Sequence, residues 1–203
     1  MATPPKQARS IATEQKMIDA AQELMRRGDS RQVTVENVTK LSGTKVSSFY
    51  ARFGSIEGLF DAIQKRHRDA FNETTFLQGY ERALKQPDLR SALLQVFKPV
   101  IEFARRENKA ITYLLAQRWV DQATTLENRK ALVAIMHQIL LQHREEVAHK
   151  DLRRASENVF RLAYAMWTHV ALDEPSDFFG RKTSLSSMVD LTTQMAYAYL
   201  TTE

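Results

Sequence analysis

The 203-residue chain contains no cysteine. That single absence excludes disulfides, thiolate metal sites and a cysteine nucleophile. Long apolar runs are also missing. The longest strongly apolar, uncharged stretch, Leu162 to Leu172, falls well short of the roughly 18 residues that span a bilayer, and no signal-like apolar segment follows the N-terminus. The expectation is a soluble, cytoplasmic chain with no membrane partner. Enzymatic signatures are absent too: there is no G-x-G-x-x-G, P-loop, H-E-x-x-H or G-x-S-x-G. Of the five histidines, His137, His143 and His149 lie six apart, so neighbours do not share a helical face and metal ligation is not expected. No catalytic residue, cofactor or metal site is assigned, and no internal repeat or low-complexity segment appears.

What is present is a hydrophobic fraction of 43%, ample for a buried core in one or two domains. The net charge of +5 is unevenly distributed: residues 1–55 hold nine Lys/Arg against five Asp/Glu, or +4, leaving +1 for the remaining 148. A cationic N-terminal region beside a nearly neutral remainder suits a polyanionic partner for the first part only.

Within that region stands GTKVSSFYARF, Gly43 to Phe53, between two short helical patterns. Glycine reaches left-handed backbone angles cheaply, so Gly43 closes one helix and turns the chain within a few residues. Thr44 is expected to cap a new helix, Lys45 to Arg52, in which Phe49 and Phe53 anchor a narrow stripe. The spacing is that of a helix-turn-helix. Thr44, Lys45, Ser47, Ser48, Tyr50 and Arg52 offer hydroxyls and cations to phosphates and base edges, and Val46 either touches a thymine methyl or packs. Thr34 caps the preceding helix, so its hydroxyl serves that helix as well as any DNA contact.

The run Thr34-Val35, Val38, Gly43, Phe49-Tyr50, Phe53-Gly54-Ser55, Glu57 and Leu59 resembles the DNA-binding domain of tetracycline-repressor (TetR) family regulators over about fifty residues. The resemblance implies a nine-helix, all-α homodimer with an N-terminal reader of double-stranded DNA and a C-terminal effector-binding and dimerisation domain. It also implies a phosphate contact for Tyr50. Three positions depart from the family pattern: Thr39 where alanine is usual, Ser47 where glycine is common, and Ile56 where a lysine usually precedes the glutamate. Ile56 cannot neutralise a phosphate, so backbone N–H groups at that helix start, Arg52 or the N-terminal arm must supply the contact.

Taken in order, residues 1–9 read as a mobile basic arm, 10–55 as the helix-turn-helix domain and 56–203 as the C-terminal domain. Helix one is expected over Ser10 to Arg27 on Ile11, Ile18, Ala21, Leu24 and Met25, ending at Gly28, and helix two buries Val35, Val38 and Leu41. Ser55 caps a fourth helix running to about Phe71, and Asn72 to Gln86 looks irregular. Pro87-Asp88 opens a helix with Pro99 inside it, and Asn108 to Val120 is another. Thr124 to Glu127 reads as a capping box ahead of a stripe from Leu132 to Val147. Asp151 opens a helix through Leu172, a 173–182 loop follows, and the last helix carries Leu185, Met188, Leu191, Met195 and Tyr199.

The half from Phe160 to Leu172 is apolar or small nearly all round, which calls for cover on every side. Small residues Ala163, Ala165, Ala171, Ala196 and Ala198 permit close helix contact, so the last two helices are expected to pair with a second copy as a four-helix interface. Candidate effector contacts are Phe103, Tyr113, Trp119, His137, Phe160, Tyr164 and Trp167, a set that suits a small, largely apolar or aromatic molecule, although each aromatic also reads as plain core. The leading function is a ligand-responsive repressor that binds a palindromic operator. A non-specific DNA-coating protein, or a ligand-binding protein of the same fold without DNA affinity, stay open at this level.

Overall fold

The computed structural model describes residues 6–27, 32–71, 76–108, 110, 112, 122–172 and 183–202, which form nine α-helices and no strand. These are α1 Lys6–Arg26, α2 Val35–Ser42, α3 Val46–Phe53, α4 Ile56–Ala70, α5 Leu77–Ala83, α6 Leu89–Arg106, α7 Gln122–Gln142, α8 Leu152–Leu172 and α9 Leu185–Thr201. The described residues divide into two compact units, the first holding 6–68 with Thr112 and the second the others.

In the first unit, α1 is already helical at Lys6, inside the segment expected to be a free arm. Its buried stripe is Met17, Ile18, Ala20, Ala21, Leu24 and Met25, while Ile11 is 55% exposed. The early turns of α1 meet a polar neighbour instead of a core: the Arg52 guanidinium donates to the Ser10 carbonyl and hydroxyl, both at 3.4 Å. On α2 the inward residues are Val38 and Thr39, and Leu41 is 44% exposed. Three-residue steps drift by about 60° around a helix, so Val35, Val38 and Leu41 do not stay on one face. Thr39 tolerates burial because its hydroxyl donates to the Val35 carbonyl at 2.8 Å.

The second unit is built around a cluster that joins α5 through α9, with Leu89, Leu93, Val96, Phe97, Ile139, Leu140, Val159, Ala196 and Leu200 at its centre. Asp88 caps α6 by accepting from the Ser91 N–H at 2.8 Å, and Glu146 adds a second acceptor for the Leu89 N–H at 2.9 Å. α6 runs through Pro99 as one helix. Proline donates no N–H, which leaves the Gln95 carbonyl without its helical partner. Gly79 of α5 approaches that carbonyl so closely that a Cβ there would lie 2.9 Å from it and 3.2 Å from Pro99 Cγ. This approach explains why the stretch expected to be irregular holds a helix: LQGYERA gains its order from tertiary contact.

α7 is helical from Gln122, ahead of the cap expected at Thr124, and ends at Gln142. Val147 therefore reaches the core from beyond the helix, after a 3-10 turn at Arg144–Glu146. Asp151 caps α8 by accepting from the Arg154 N–H at 3.0 Å. The end of α9 is pinned to this corner by Ala148 N–H to the Leu200 carbonyl (2.8 Å) and Asn158 to the Tyr199 hydroxyl (2.7 Å). On α9 the buried residues are Met188, Val189, Thr192, Thr193, Ala196 and Leu200, whereas Leu191 and Met195 of the expected stripe are 44% and 42% exposed. Thr192 and Thr193 back-bond to the Met188 and Val189 carbonyls, at 2.7 and 2.8 Å, and so pack as if apolar. The expected helix over Asn108 to Val120, the Gly28 stop and the 173–182 loop lie outside the described residues, apart from Asn108, Ala110 and Thr112.

Candidate nucleic-acid interface

Two glycines with positive φ bracket α3. Gly43, at φ 64°, ends α2 with its N–H on the Lys40 carbonyl (3.3 Å), and Thr44 N–H reaches the Thr39 carbonyl (2.9 Å). This paired pattern satisfies the last carbonyls of α2 while reversing the chain. Thr44 is not the cap of α3. That position is Lys45, without a side-chain bond, and the Thr44 hydroxyl instead meets Ser42 Oγ at 2.7 Å. Local side-chain bonding across the turn has displaced the expected cap. Gly54, at φ 70°, closes α3 with its N–H on the Tyr50 carbonyl at 3.0 Å.

α3 is held from one side. Phe49 is fully buried, with its ring edge-on to Tyr50 at 5.6 Å and tilted against Phe53 at 5.1 Å. The opposite side is open: Lys45, Val46 (49% exposed), Ser47 and Tyr50 (52%) project outward, with Thr44 and Ser48 half-buried beside them. An apolar Val46 left exposed at the first turn of a short polar helix suits a methyl contact in a groove better than packing. Arg52 is engaged internally, donating to the Ser48 carbonyl at 2.9 Å and bridging to Ser10. Thr34 caps α2 by accepting from the Asn37 N–H at 3.2 Å and remains exposed.

The start of α4 is also occupied. Ser55 Oγ accepts from the Gly58 N–H at 3.2 Å. The Ser55 hydroxyl, and after it the Glu57 backbone N–H, hold the exposed Glu57 carboxyl below its ordinary pKa. Glu57 therefore sits where a phosphate would meet the first-turn N–H groups, and Ile56 adds no cation. Arg26 and Arg27 both pair with Glu23, and Arg66 with Asp19. Lys45, exposed on the open side of α3 and in none of these pairs, is the cation best placed for a phosphate.

One residue escaped sequence reasoning. Gly58, inside the first turn of α4, packs against the α3 terminus so tightly that a Cβ would fall 2.0 Å from the Phe53 carbonyl oxygen. A glycine interrupting the otherwise helix-favouring run IEGLFDAIQ was the available signal.

In the second unit the effector candidates separate into three places. Phe103 is buried on α6, edge-on to Phe71 at 5.3 Å and with Arg106 over its ring. Phe160, Tyr164 and Trp167 come together on α8 as a ladder, with centroid steps of 6.3 and 5.7 Å. His137 lies on α7, its Nδ1 buried without a partner, as is the Trp167 Nε1. Tyr113 and Trp119 lie outside the described residues. Of the small residues expected to line a subunit interface, Ala165 and Ala198 are exposed, Ala163 is half-buried, and Ala171 and Ala196 are buried. Among the described residues no group of three His, Asp or Glu is placed to hold a metal ion, and no helix is long and apolar enough to cross a membrane.

Residues 17–63 match the sequence profile of bacterial regulatory proteins of the tetR family. No curated protein matches the chain in sequence. Among solved structures, the chain is similar to NalD, the secondary repressor of the MexAB-OprM multidrug efflux pump in Pseudomonas aeruginosa, at 16% identity and TM-score 0.66 over 97% of this chain and 99% of that one. It is similar to the ketosteroid transcriptional regulator KstR2 of Mycobacterium tuberculosis at 18% and 0.64, over 94% and 95%. AibR, solved in complex with isovaleryl coenzyme A and operator DNA, gives 14% and 0.65, over 90% and 97%. At these identities the likeness is one of fold.

Proposed function

We propose that this chain, whose reader domain belongs to the tetR family of bacterial regulatory proteins, is a homodimeric repressor that binds a palindromic operator and is released by a small-molecule effector. The observation that carries the DNA reading is the open side of α3, where Lys45, Val46, Ser47 and Tyr50 are exposed and Phe49 is fully buried. Two such helices, one per subunit, enter successive major grooves about 34 Å apart on one face of the duplex. Lys45 and Tyr50 contact phosphate, while Val46, Ser47 and Ser48 read base edges, with Thr44 and Thr34 beside them. Arg52, expected at the DNA with them, also ties α3 to the start of α1.

The division of labour places the reader in residues 10–55 and the effector and pairing functions in 56–203. The open sides of the last two helices support pairing: Ala165 and Thr168 on α8, and Leu191, Met195 and Ala198 on α9, are exposed or half-exposed beside one another in sequence order. NalD is a repressor and AibR carries both a ligand and operator DNA, which favours the same arrangement here. Effector binding shifts the population toward a state with the wrong half-site spacing, and the coupling is reciprocal. A cytoplasmic location follows from this role.

Selection of bound duplexes from a random pool, with the retained species sized on a column, tests the reading. A palindrome held by one dimer or a pair of dimers supports it. Recovery of nothing, or of DNA without a consensus, refutes it.

A further inference from the structure

The ladder on α8 has chemistry that core packing leaves unused. Phe160, Tyr164 and Trp167 recur at i, i+4 and i+7, so they share one face, and their rings are nearly parallel, at 19° and 21° between successive planes. Above the Tyr164 ring, at 5.1 Å, stands the Arg129 guanidinium from α7, an exposed group with no carboxylate partner among the described residues. Trp167 packs against the core, yet its Nε1 is buried with no acceptor. An indole N–H is a donor only, and a buried donor without an acceptor is costly, which native structures ordinarily avoid. The uncommitted groups at this place are two donors that cannot accept, a cationic guanidinium and an indole N–H, and a phenolic hydroxyl that can do either, set along an aromatic wall.

This wall borders the side of α8 proposed for pairing. Asn158 bonds Tyr199 and so marks the side of α8 that faces α9. Tyr164 lies about 120° around the helix from it, toward α7. Ala165 and Thr168 fall between.

We propose that the effector is a planar aromatic carboxylate, whose ring lies along Phe160, Tyr164 and Trp167 and whose anionic oxygens accept from Arg129 and the Trp167 Nε1. This rests on reading the second unit as an effector sensor. Charge decides the class: a cationic ligand would meet Arg129 with like charge, and a purely apolar one would leave the indole donor unpaired. A carboxylate satisfies the guanidinium, and an oxygen acceptor satisfies the indole.

The test uses the full chain, unsubstituted for calorimetry, and for emission a Trp119→Phe variant, which makes Trp167 the single indole of the two in the sequence. Calorimetry and tryptophan emission are followed with 2-naphthoate, 2-naphthamide and 2-naphthylmethylammonium. The expected result is saturable quenching by 2-naphthoate, with affinity at least about tenfold above the amide and the ammonium. Arg129→Gln, a change at an exposed side chain, removes that preference while leaving the amide within about twofold. Trp167→Phe, which keeps the ring wall, weakens 2-naphthoate about fivefold in calorimetry. Equal affinity for acid and amide, indifference to Arg129→Gln, or no binding of any probe at millimolar concentration overturns the inference. Operator binding is measured in parallel: retained operator affinity with failed acid discrimination refutes the effector class alone, whereas absence of any selected operator refutes the regulator reading beneath it.

Discussion

Replacing Gly58 with alanine tests the closest backbone approach in the reader. A Cβ at that position would stand 2.0 Å from the Phe53 carbonyl oxygen, 3.0 Å from its carbonyl carbon and 3.4 Å from its Cα. Real Cβ atoms keep at least 3.0 Å, so the oxygen and the new methyl must separate by at least 1.0 Å (3.0 minus 2.0). A flexible side chain would swing aside; this obstacle is the last peptide of α3. Moving it disturbs Gly54, held at φ 70°, and the Phe49–Phe53 contact that anchors the open face. Overpacking of this kind costs about 1–3 kcal/mol, and at 2.0 Å the upper end applies. Removing a helix glycine returns about 1 kcal/mol, for a net loss of about 2 kcal/mol.

Urea denaturation followed by circular dichroism reads that loss as a lower midpoint at unchanged slope. Operator affinity falls by about tenfold or more, since each base-edge contact of a displaced reading helix is worth about 1–3 kcal/mol. Gly43→Ala provides the contrast. Nothing lies within 4 Å of a Cβ there, so only the strain of φ 64° acts, costing about 1–2 kcal/mol without a push on α3. If Gly58→Ala unfolds at or above the wild-type urea concentration and holds operator as tightly, the close approach and its role in aiming α3 are both refuted.

Three other outcomes follow from the same geometry. Lys45→Ala should weaken binding across all duplexes and flatten the dependence of log K on log salt by about 1.8 for a dimer, one phosphate per subunit; an unchanged slope in fluorescence anisotropy removes Lys45 from the phosphate contacts. Asp88 has its pKa lowered by the Ser91 N–H and then the Ser91 hydroxyl. A depressed carboxyl contributes stability above its unfolded pKa of about 3.9 and loses it as pH falls through the lower folded value, so Asp88→Ala should cost about 1 kcal/mol at pH 7 and progressively less below about pH 4. Thermal midpoints of both proteins across that range check the sign, and a constant difference would rule out the cap. Leu191→Lys with Met195→Lys places charges on the open side of α9 and should yield monomers by analytical ultracentrifugation without loss of helicity, whereas an intact dimer would move the interface elsewhere.

Helix existence was legible in the sequence wherever an apolar stripe coincided with a cap, as at Thr34, Ser55, Asp88 and Asp151. It failed where order comes from a distant partner. LQGYERA has no stripe of its own and becomes α5 because Gly79 fits over the carbonyl that Pro99 leaves free. Which side of a helix faces inward was less legible than the helix itself. On α9, periodicity alone cannot rank Leu191 and Met195 below Thr192 and Thr193, because a threonine that bonds its own helix hides its polarity. The same device places Thr39 inside α2 and turns Leu41 out.

The reader's residue types were legible, but not how its cations are spent. Sequence offered Arg52, the α4 start and the arm as substitutes for the lysine that Ile56 replaces. Arg52 is bonded to Ser48 and Ser10, and the first-turn N–H groups of α4 at Glu57 and Gly58 already have oxygen partners. The Ser10 bond is long-range, the α4 bonds are capping, and the Ser48 bond folds a side chain back on its own helix, so apolar periodicity exposes none of them. Among the described residues of the first unit, Arg26, Arg27 and Arg66 are paired and Arg52 is bonded internally, while Lys45 is exposed on the open side of α3 with no ion pair. On the proposed reading, discrimination between sequences comes from the short-range contacts of Val46, Ser47 and Ser48. Those contacts reach only a few ångströms, so they depend on the aim of α3, which Gly43, Gly54 and the steric fit at Gly58 fix.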